Sequence, residues 1–294
     1  MSGFPAFSVV TPSFGQLSWL ELCIASVADQ TVEGGVEHIV CDGGSSGMEE
    51  FVRAMRHRFP DCPGYRLRFE VGPDKGMYDA INKGLHVATG GVCSYLNCDE
   101  QLLPGALEGV AGHFRREVAC EVVFGDALVV DREGNAMCYW RPYVPTLRHL
   151  SGATLNTLSC STFFRRSIVE DGILFDPEWK VVGDLLWIRR LLEGKRRMHC
   201  LRRPLAAFTF LGDNLGASST ADHEFERTRR MQSPSGRLAA RCLHGARKLA
   251  SGAYVRRRMI YSLFTLSDPL QRRHFEAPRL GWTWPSTAKP HAPV

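Results

Sequence analysis

Asp74-Lys75-Gly76-Met77-Tyr78-Asp79-Ala80-Ile81-Asn82-Lys83-Gly84, followed by Tyr95-Leu96-Asn97-Cys98-Asp99-Glu100, decides how this chain is read. A charged turn leads into a helix, and an apolar strand then ends on acids. Met77 to Ala88 reads as the helix, closed by Thr89-Gly90-Gly91. Val92 to Leu96 is a short apolar run of the kind that forms a buried strand. Together they suit a site that holds a charged ligand and a divalent metal at the edge of a parallel sheet.

Towards the N-terminus the alternation of strand and helix continues. Phe7-Ser8-Val9-Val10-Thr11 reads as a strand halted by Pro12. Leu17, Leu20, Ile24 and Val27 have helical spacing. Val36 to Asp42 is a second strand that stops at Gly43-Gly44-Ser45-Ser46, and a helix near Met48 to Phe59 follows. Tyr65 to Val71 alternates as a third strand. Short loops between strands and helices predict an α/β fold with a mainly parallel, doubly wound sheet. Ligands in such sheets lie beyond the carboxyl ends of the strands. Thr11 and Ser13, Asp42, Asp74 and Asp99 each follow one of the four strands, so polar groups converge where the fold binds ligands.

Towards the C-terminus, Glu121 to Trp140 predicts a hairpin with its turn at Asp131 to Asn135, and Arg141 to Cys160 predicts an irregular loop. Val182-Gly183-Asp184 enters a helix through Leu185, Ile188, Leu191 and Leu192, and Leu205 to Leu211 is a last short strand. Beyond about residue 215 arginines accumulate, with Leu238, Cys242, Leu249, Val255, Ile260 and Leu263 among them. This segment, 216–277, predicts a helical basic extension, and the Pro-rich 278–294 a disordered tail. The extension reads equally as an amphipathic helix on an anionic membrane or as a solvated helix packed on the main domain.

At 294 residues, with 44% hydrophobic and 23% charged residues, the composition is that of a globular protein. The formal charge of +5 is concentrated in the C-terminal part, yet no nucleic-acid recognition module is visible. No charged-then-apolar leader precedes the first strand and no apolar run would span a bilayer, so a cytoplasmic protein is expected, at most peripheral on the inner membrane face. The 10 cysteines are scattered without a C-x-x-C pair or a His/Cys cluster, which argues for buried thiols and against a zinc site.

The block from Asp74 to Glu100 resembles the nucleotide-sugar site of family 2 glycosyltransferases with the GT-A fold. The resemblance covers roughly residues 5 to 215. It implies an inverting sugar transfer from a nucleoside-diphosphate sugar, with UDP first and GDP next, to a glycan or lipid-linked acceptor in surface polysaccharide synthesis. It also implies a Mn2+ or Mg2+ ion held by Asp99. The family's acidic pair reads here Asn97-Cys98-Asp99-Glu100, with Asn first and Glu last. Asp42 resembles the residue that bonds the nucleobase, and Asp74 the one near base and ribose. Lys75 would approach the diphosphate, and Gly76 would let the backbone come close. Asp79 and Asn82 share a helical face. Thr11-Pro12-Ser13-Phe14 resembles the family's first-strand element, although Gly15 stands where its Asn is usual. Asp184 resembles the family's general base. Cys160 to Arg166 resembles a further segment in which Arg165 and Arg166, with Glu100, are candidates for phosphate or acceptor contacts. Ser159 stands there in place of a frequent His. Phe208 to Ser219, with Gly212 and Gly216, resembles a mobile lid.

Each residue has a plainer reading. Asp184 is a favourable helix N-cap, Asp79 suits a helix N-terminus, Asp42 a turn, and the arginines a surface. Two other classes remain beside the transferase. One is a non-catalytic nucleotide-sugar binder of the same fold. The other is a nucleotidyltransferase, disfavoured because Thr11 to Gln16 is not a Gly-rich basic loop.

Overall fold

A computed structural model of the chain describes residues 6–150, 155–212, 219–230 and 234–285. In chain order, β1 (Phe7–Ser13), α1 (Leu17–Ala28), β2 (Val36–Asp42), α2 (Met48–Arg58), β3 (Tyr65–Val71), α3 (Met77–Val87) and β4 (Val92–Tyr95) alternate as the periodicity predicts. They are followed by β5 (Gln101–Leu102), α4 (Ala106–Arg116), β6 (Val122–Val130), β7 (Ala136–Trp140), α5 (Leu147–Leu150), β8 (Thr162–Arg165), α6 (Ser167–Glu170), α7 (Gly183–Glu193) and β9 (Met198–Thr209). Last come α8 (Ser219–Arg230), α9 (Pro234–Ala250), β10 (Arg257–Thr265) and β11 (Asp268–Leu280).

The main sheet runs β3-β2-β1-β4-β8-β6-β9-β5, with β7 paired to β6. β1 to β4 are parallel to one another, and the register sets Ser13 beside Asp42 and Val10 beside Tyr95. The carboxyl ends of three strands are thereby brought to one edge. β8 is antiparallel to both β4 and β6, while β9 is parallel to β6. Beyond β4 the sheet is mixed, and its second half turns back toward that same edge.

Adjacent strand residues face opposite layers because side chains alternate along a strand. Val9 and Phe163 pack with Leu20 and Ile24 of α1, whereas Val10 and Phe164 pack with Ile81 of α3 and Trp187 of α7. β1, β2 and β6 are buried along their whole length, as strands covered on both faces must be. β6 and β7 form the predicted hairpin, and β6 shifts register against β9 around Asp126. β8 escapes sequence reading because it is only four residues long and directly follows the aperiodic segment Arg141 to Cys160.

The C-terminal extension is helical only in part. Arg257–Leu280 forms an antiparallel hairpin rather than a helix. Tyr261 and Leu263 alternate inward with period two and pack with Leu128, Val130 and Tyr139 of the main sheet. Residues 278–285 also depart from the expected disordered tail. Leu280 is buried, Trp282 meets Tyr254 edge-on at 4.5 Å, and Trp284 meets Trp140 at 5.1 Å. Residues 286–294 lie outside the described residues, as do 213–218 of the expected lid. Among the described residues no helix is long and apolar enough to cross a membrane.

Candidate active site

A cavity of about 1090 Å³ opens at the carboxyl edge of β1, β2 and β4. Its walls include Pro12, Ser13, Phe14, Gly43, Asp74, Gly76, Asn97, Cys98, Asp99 and Asp184. Of the residues singled out from the sequence, these meet in one place although they are spread over more than half the chain.

The acidic turn after β4 divides its labour. Glu100 is 1% exposed; its carboxylate accepts the Asn97 N–H at 2.8 Å and the Ser159 hydroxyl at 3.3 Å. Burial, and then the neighbouring Asp99 charge, push its pKa well up. A buried carboxyl held toward its neutral form is a poor metal ligand, so Glu100 braces the turn and makes no contact in the cavity. Asn97 also supports Glu100 through its side chain, and its Oδ1 is left buried without a partner among the described residues. Asp99 is half-buried and lines the cavity, and its backbone carbonyl accepts the Thr209 hydroxyl. Divalent Mg2+ and Mn2+ take oxygen ligands, commonly one or two from protein with the rest from phosphate and water. The Asp99 carboxylate and the orphaned Asn97 Oδ1 fit that donor set.

Three acids, Asp74, Asp99 and Asp184, line the cavity, and no Lys or Arg is among the described lining residues. Such a wall repels a diphosphate unless a cation lies between them.

Asp184 sits at the start of α7. Its Oδ1 accepts the Leu185 N–H at 2.7 Å, and its own N–H donates to the Tyr78 hydroxyl at 3.1 Å. Tyr78 in turn donates to the Val181 carbonyl at 2.9 Å. Thus the tyrosine of the Asp74–Gly84 block holds the loop that carries the distant carboxylate. Gly183 is required here, since a Cβ would come within 2.5 Å of the Tyr78 ring. Burial raises the Asp184 pKa from 3.8 to about 6, partly offset by the Leu185 N–H, and the carboxyl still reaches the cavity.

The fold gives each of the other expected site residues a definite place and partner, some at the cavity and some away from it. Thr11 turns its hydroxyl into the core, 2.9 Å from His38 Nε2, and is not among the residues of the cavity wall. Ser13, two residues on, does line the cavity, with a buried Oγ that has no partner among the described residues. Asp42 is 1% exposed and spends its oxygens on the Gly44 and Ser45 N–H groups and the Ser45 hydroxyl; Gly43, next to it, faces the cavity instead. Asp74 accepts the Gly76 N–H at 2.7 Å and approaches Gly43 so closely that a Cβ there would lie 2.9 Å from its Oδ2. Lys75 is exposed and gives its carbonyl to Lys180. Asp79 accepts the Lys75 N–H and pairs with Lys83, the ordinary role of an acid at a helix start. Asn82 exchanges two hydrogen bonds with the Phe175 backbone, at 2.7 and 3.0 Å, and is a structural staple. Arg165 lies opposite Val92 at the amino end of β4, its guanidinium on the carbonyls of Cys120, Phe114 and Val118. Arg166 bonds the Gly91 carbonyl and pairs with Glu170. Neither arginine reaches the cavity, because β8 runs antiparallel and carries them to the far end of the sheet.

Two contributors were not legible in the sequence. Trp140, Phe208 and Trp284 form an aromatic wall from three distant segments. Glu224 of α8 accepts the N–H groups of Lys180, Val181 and Val182 at 2.7, 2.9 and 3.0 Å, clamping the loop before Asp184. An isolated Glu in a polar helix carries no sequence signal. Glu224→Gln should keep the fold and lose one charge-assisted contact set, lowering turnover more than nucleotide affinity; an unchanged kcat in steady-state assays would remove this positioning role.

A parallel half-sheet with an acidic cavity at its carboxyl edge, backed by a mixed second half, defines the GT-A architecture. The model of "Glycosyl transferase family 2" matches residues 8–173, more than half of the chain, and the chain belongs to that family. A PGL/p-HBAD biosynthesis glycosyltransferase of Mycobacterium tuberculosis is 31% identical over 126 residues, 42% of this chain and 48% of that protein. Among solved structures, S. aureus TarS 1-349 in complex with UDP-GlcNAc aligns with a TM-score of 0.59 at 18% identity, covering 76% of this chain and 64% of that one. The mannosyltransferase PcManGT of Pyrobaculum calidifontis, in complex with GDP-Man and Mn2+, aligns at 0.51 and 16% identity, covering 72% and 59%. The chain spans about half the length of the curated relative it matches, and the structural likenesses at these identities speak for the fold.

Proposed function

We propose that the chain is an inverting glycosyltransferase that moves a sugar from a nucleoside-diphosphate sugar to a hydroxyl of a glycan or lipid-linked acceptor. The observation that carries this reading is the meeting of Asp99 and Asp184 in one cavity that has no cationic side chain of its own among the described residues. UDP-sugar is the first donor to test and GDP-sugar the second, in keeping with the ligands of TarS and PcManGT.

In this reading the donor lies along the edge of β1 and β2, with Ser13 and Asp74 as its polar contacts. Asp99 and Asn97 would hold a divalent cation, whose charge offsets that of the leaving diphosphate. Asp184 accepts the acceptor hydroxyl proton while that oxygen attacks the anomeric carbon. The bond from that carbon to the diphosphate oxygen breaks, and the electron pair leaves with the diphosphate. A carboxyl with a pKa of about 6 is suited to this work near neutrality. The aromatic wall of Trp140, Phe208 and Trp284 gives the acceptor an apolar, stacking surface.

Thermal stabilisation by UDP, GDP, TDP and CMP, with and without Mn2+, tests the donor site, since a ligand that binds the native state raises its stability. A metal-dependent shift with one nucleoside diphosphate is expected. No shift with any of them would count against a nucleotide site in this cavity. Work at the inner face of a membrane would use the exposed Leu249, Ile260 and Leu270 beside Arg256, Arg258 and Arg273. Co-sedimentation with anionic but not neutral vesicles is the expected result, and equal recovery with both would reject the membrane contact.

A further inference from the structure

Scattered along the chain, the cysteines and histidines suggested no metal site. Folding brings three of them together at the end of the sheet remote from the acidic cavity. His113 lies in the last turn of α4, Cys120 in the loop that follows, and His199 near the start of β9. One ligand atom from each lies within 4.8 Å of the other two. We infer that His113, Cys120 and His199 form a zinc site that clasps α4 to β9, distinct from the acidic cavity.

Several independent features support it. His113 Nε2 is buried and has no hydrogen-bond partner among the described residues, an unusual state for an imidazole nitrogen. The two imidazoles meet edge-on with centroids 5.4 Å apart. Burial, followed by the nearby His199, lowers the His113 pKa, which keeps the ring neutral with a lone pair to give. Cys120 is 1% exposed and donates its thiol to the Val122 carbonyl at 3.3 Å; burial raises its pKa, the Arg165 charge opposes that, and a bound cation would supply the charge that favours the thiolate a metal requires. Glu117 Oε2 lies 4.0 Å from His199 Nδ1, placed to orient that ring or to complete the shell. The carbonyl end of α4 also favours a cation, against the opposing charges of Arg116 and Arg165.

Geometry and ligand type select the ion. Tetrahedral Zn2+ with Zn–N of about 2.0–2.1 Å and Zn–S of about 2.3 Å places its donors about 3.4–3.6 Å apart. The donors lie within 4.8 Å of one another, and rotation of the part-exposed His199 ring would bring its nitrogen toward the other two. Two imidazoles and a thiolate suit zinc, whereas the carboxylate-lined cavity suits Mg2+ or Mn2+. The backbone is already fixed, by pairing of Val123 with His199 and by the 2.7 Å bond from Arg165 Nε to the Cys120 carbonyl.

The test is a Co2+ titration of the full chain after chelator treatment, followed by displacement with Zn2+. One equivalent should give tetrahedral ligand-field bands and a thiolate-to-cobalt charge-transfer band, both erased by Zn2+. His199→Ala and Cys120→Ser should each abolish them, and Asp99→Ala should keep them. Zn2+ should raise the melting temperature of the native chain and not that of His199→Ala, whose part-exposed side chain makes it the safer variant to fold. Absence of the charge-transfer band would overturn the proposal. So would its survival in both variants, which would assign the thiol to exposed Cys62 or Cys242.

Discussion

Asp184→Asn should lower sugar transfer by about 10²–10⁴-fold, the usual contribution of a positioned general base, while donor binding stays intact. The amide keeps an oxygen for the Leu185 N–H and leaves the Tyr78 contact to the backbone in place, so the loop need not move. What is lost is the proton acceptor. In the native chain transfer should rise as pH passes through about 6 and then level, since only the ionised carboxylate accepts the proton. Stability should move the opposite way. The folded pKa lies above the unfolded value, so the Asp184 contribution to stability is fully present below about pH 3.8 and is lost as pH rises through about 6. Asp184→Asn should therefore melt higher than the native chain at pH 7 and no higher at pH 4. Full transfer activity in the variant would end the assignment of Asp184 as base.

Asp99→Ala should remove the metal dependence of nucleotide-diphosphate binding and cut transfer by about 10²–10³-fold, the scale of a lost electrostatic contact to developing charge. The variant leaves Asp74 and Asp184 in the cavity with no bound cation between them and the diphosphate. Binding of the uncharged nucleoside portion, probed with uridine, should change little. Calorimetric titration with UDP at fixed Mn2+ separates the two. An unchanged UDP affinity with unchanged metal dependence would take Asp99 out of the site.

Much of the N-terminal half was legible because local and global signals agree there. β1, β2 and β4 are short apolar runs, their helices carry a clear period, and acids stand at the strand ends, where ligands bind in such sheets. Family resemblance singled out both Asp99 and Asp184, and of the two only Asp99 also stands at a predicted strand end. Less could be read of each side chain's direction. Asp42, Asp79, Asn82, Arg165 and Arg166 look like ligand contacts along the chain, yet each is held by a backbone group or a neighbouring charge. Nothing local distinguishes a carboxylate that faces a cavity from one that caps a turn, because both occur in polar loops next to glycine.

The C-terminal part shows the other limit. Arg257–Thr265 mixes arginines with apolar residues, and a helical face or an alternating strand can be drawn through it. Burial against Leu128 and Tyr139 selects the strand, and that surface belongs to a segment more than a hundred residues away. By itself, then, the sequence determined the order of strands and helices from β1 to β4 and the acidic character of one edge, since both arise from periodicities of a few residues. Tertiary structure alone decided which acids face the cavity, that Glu224 clamps the Asp184 loop, that Trp284 closes a wall, and that His113, Cys120 and His199 meet. Those outcomes depend on strand direction and packing between distant segments, which no local spacing encodes.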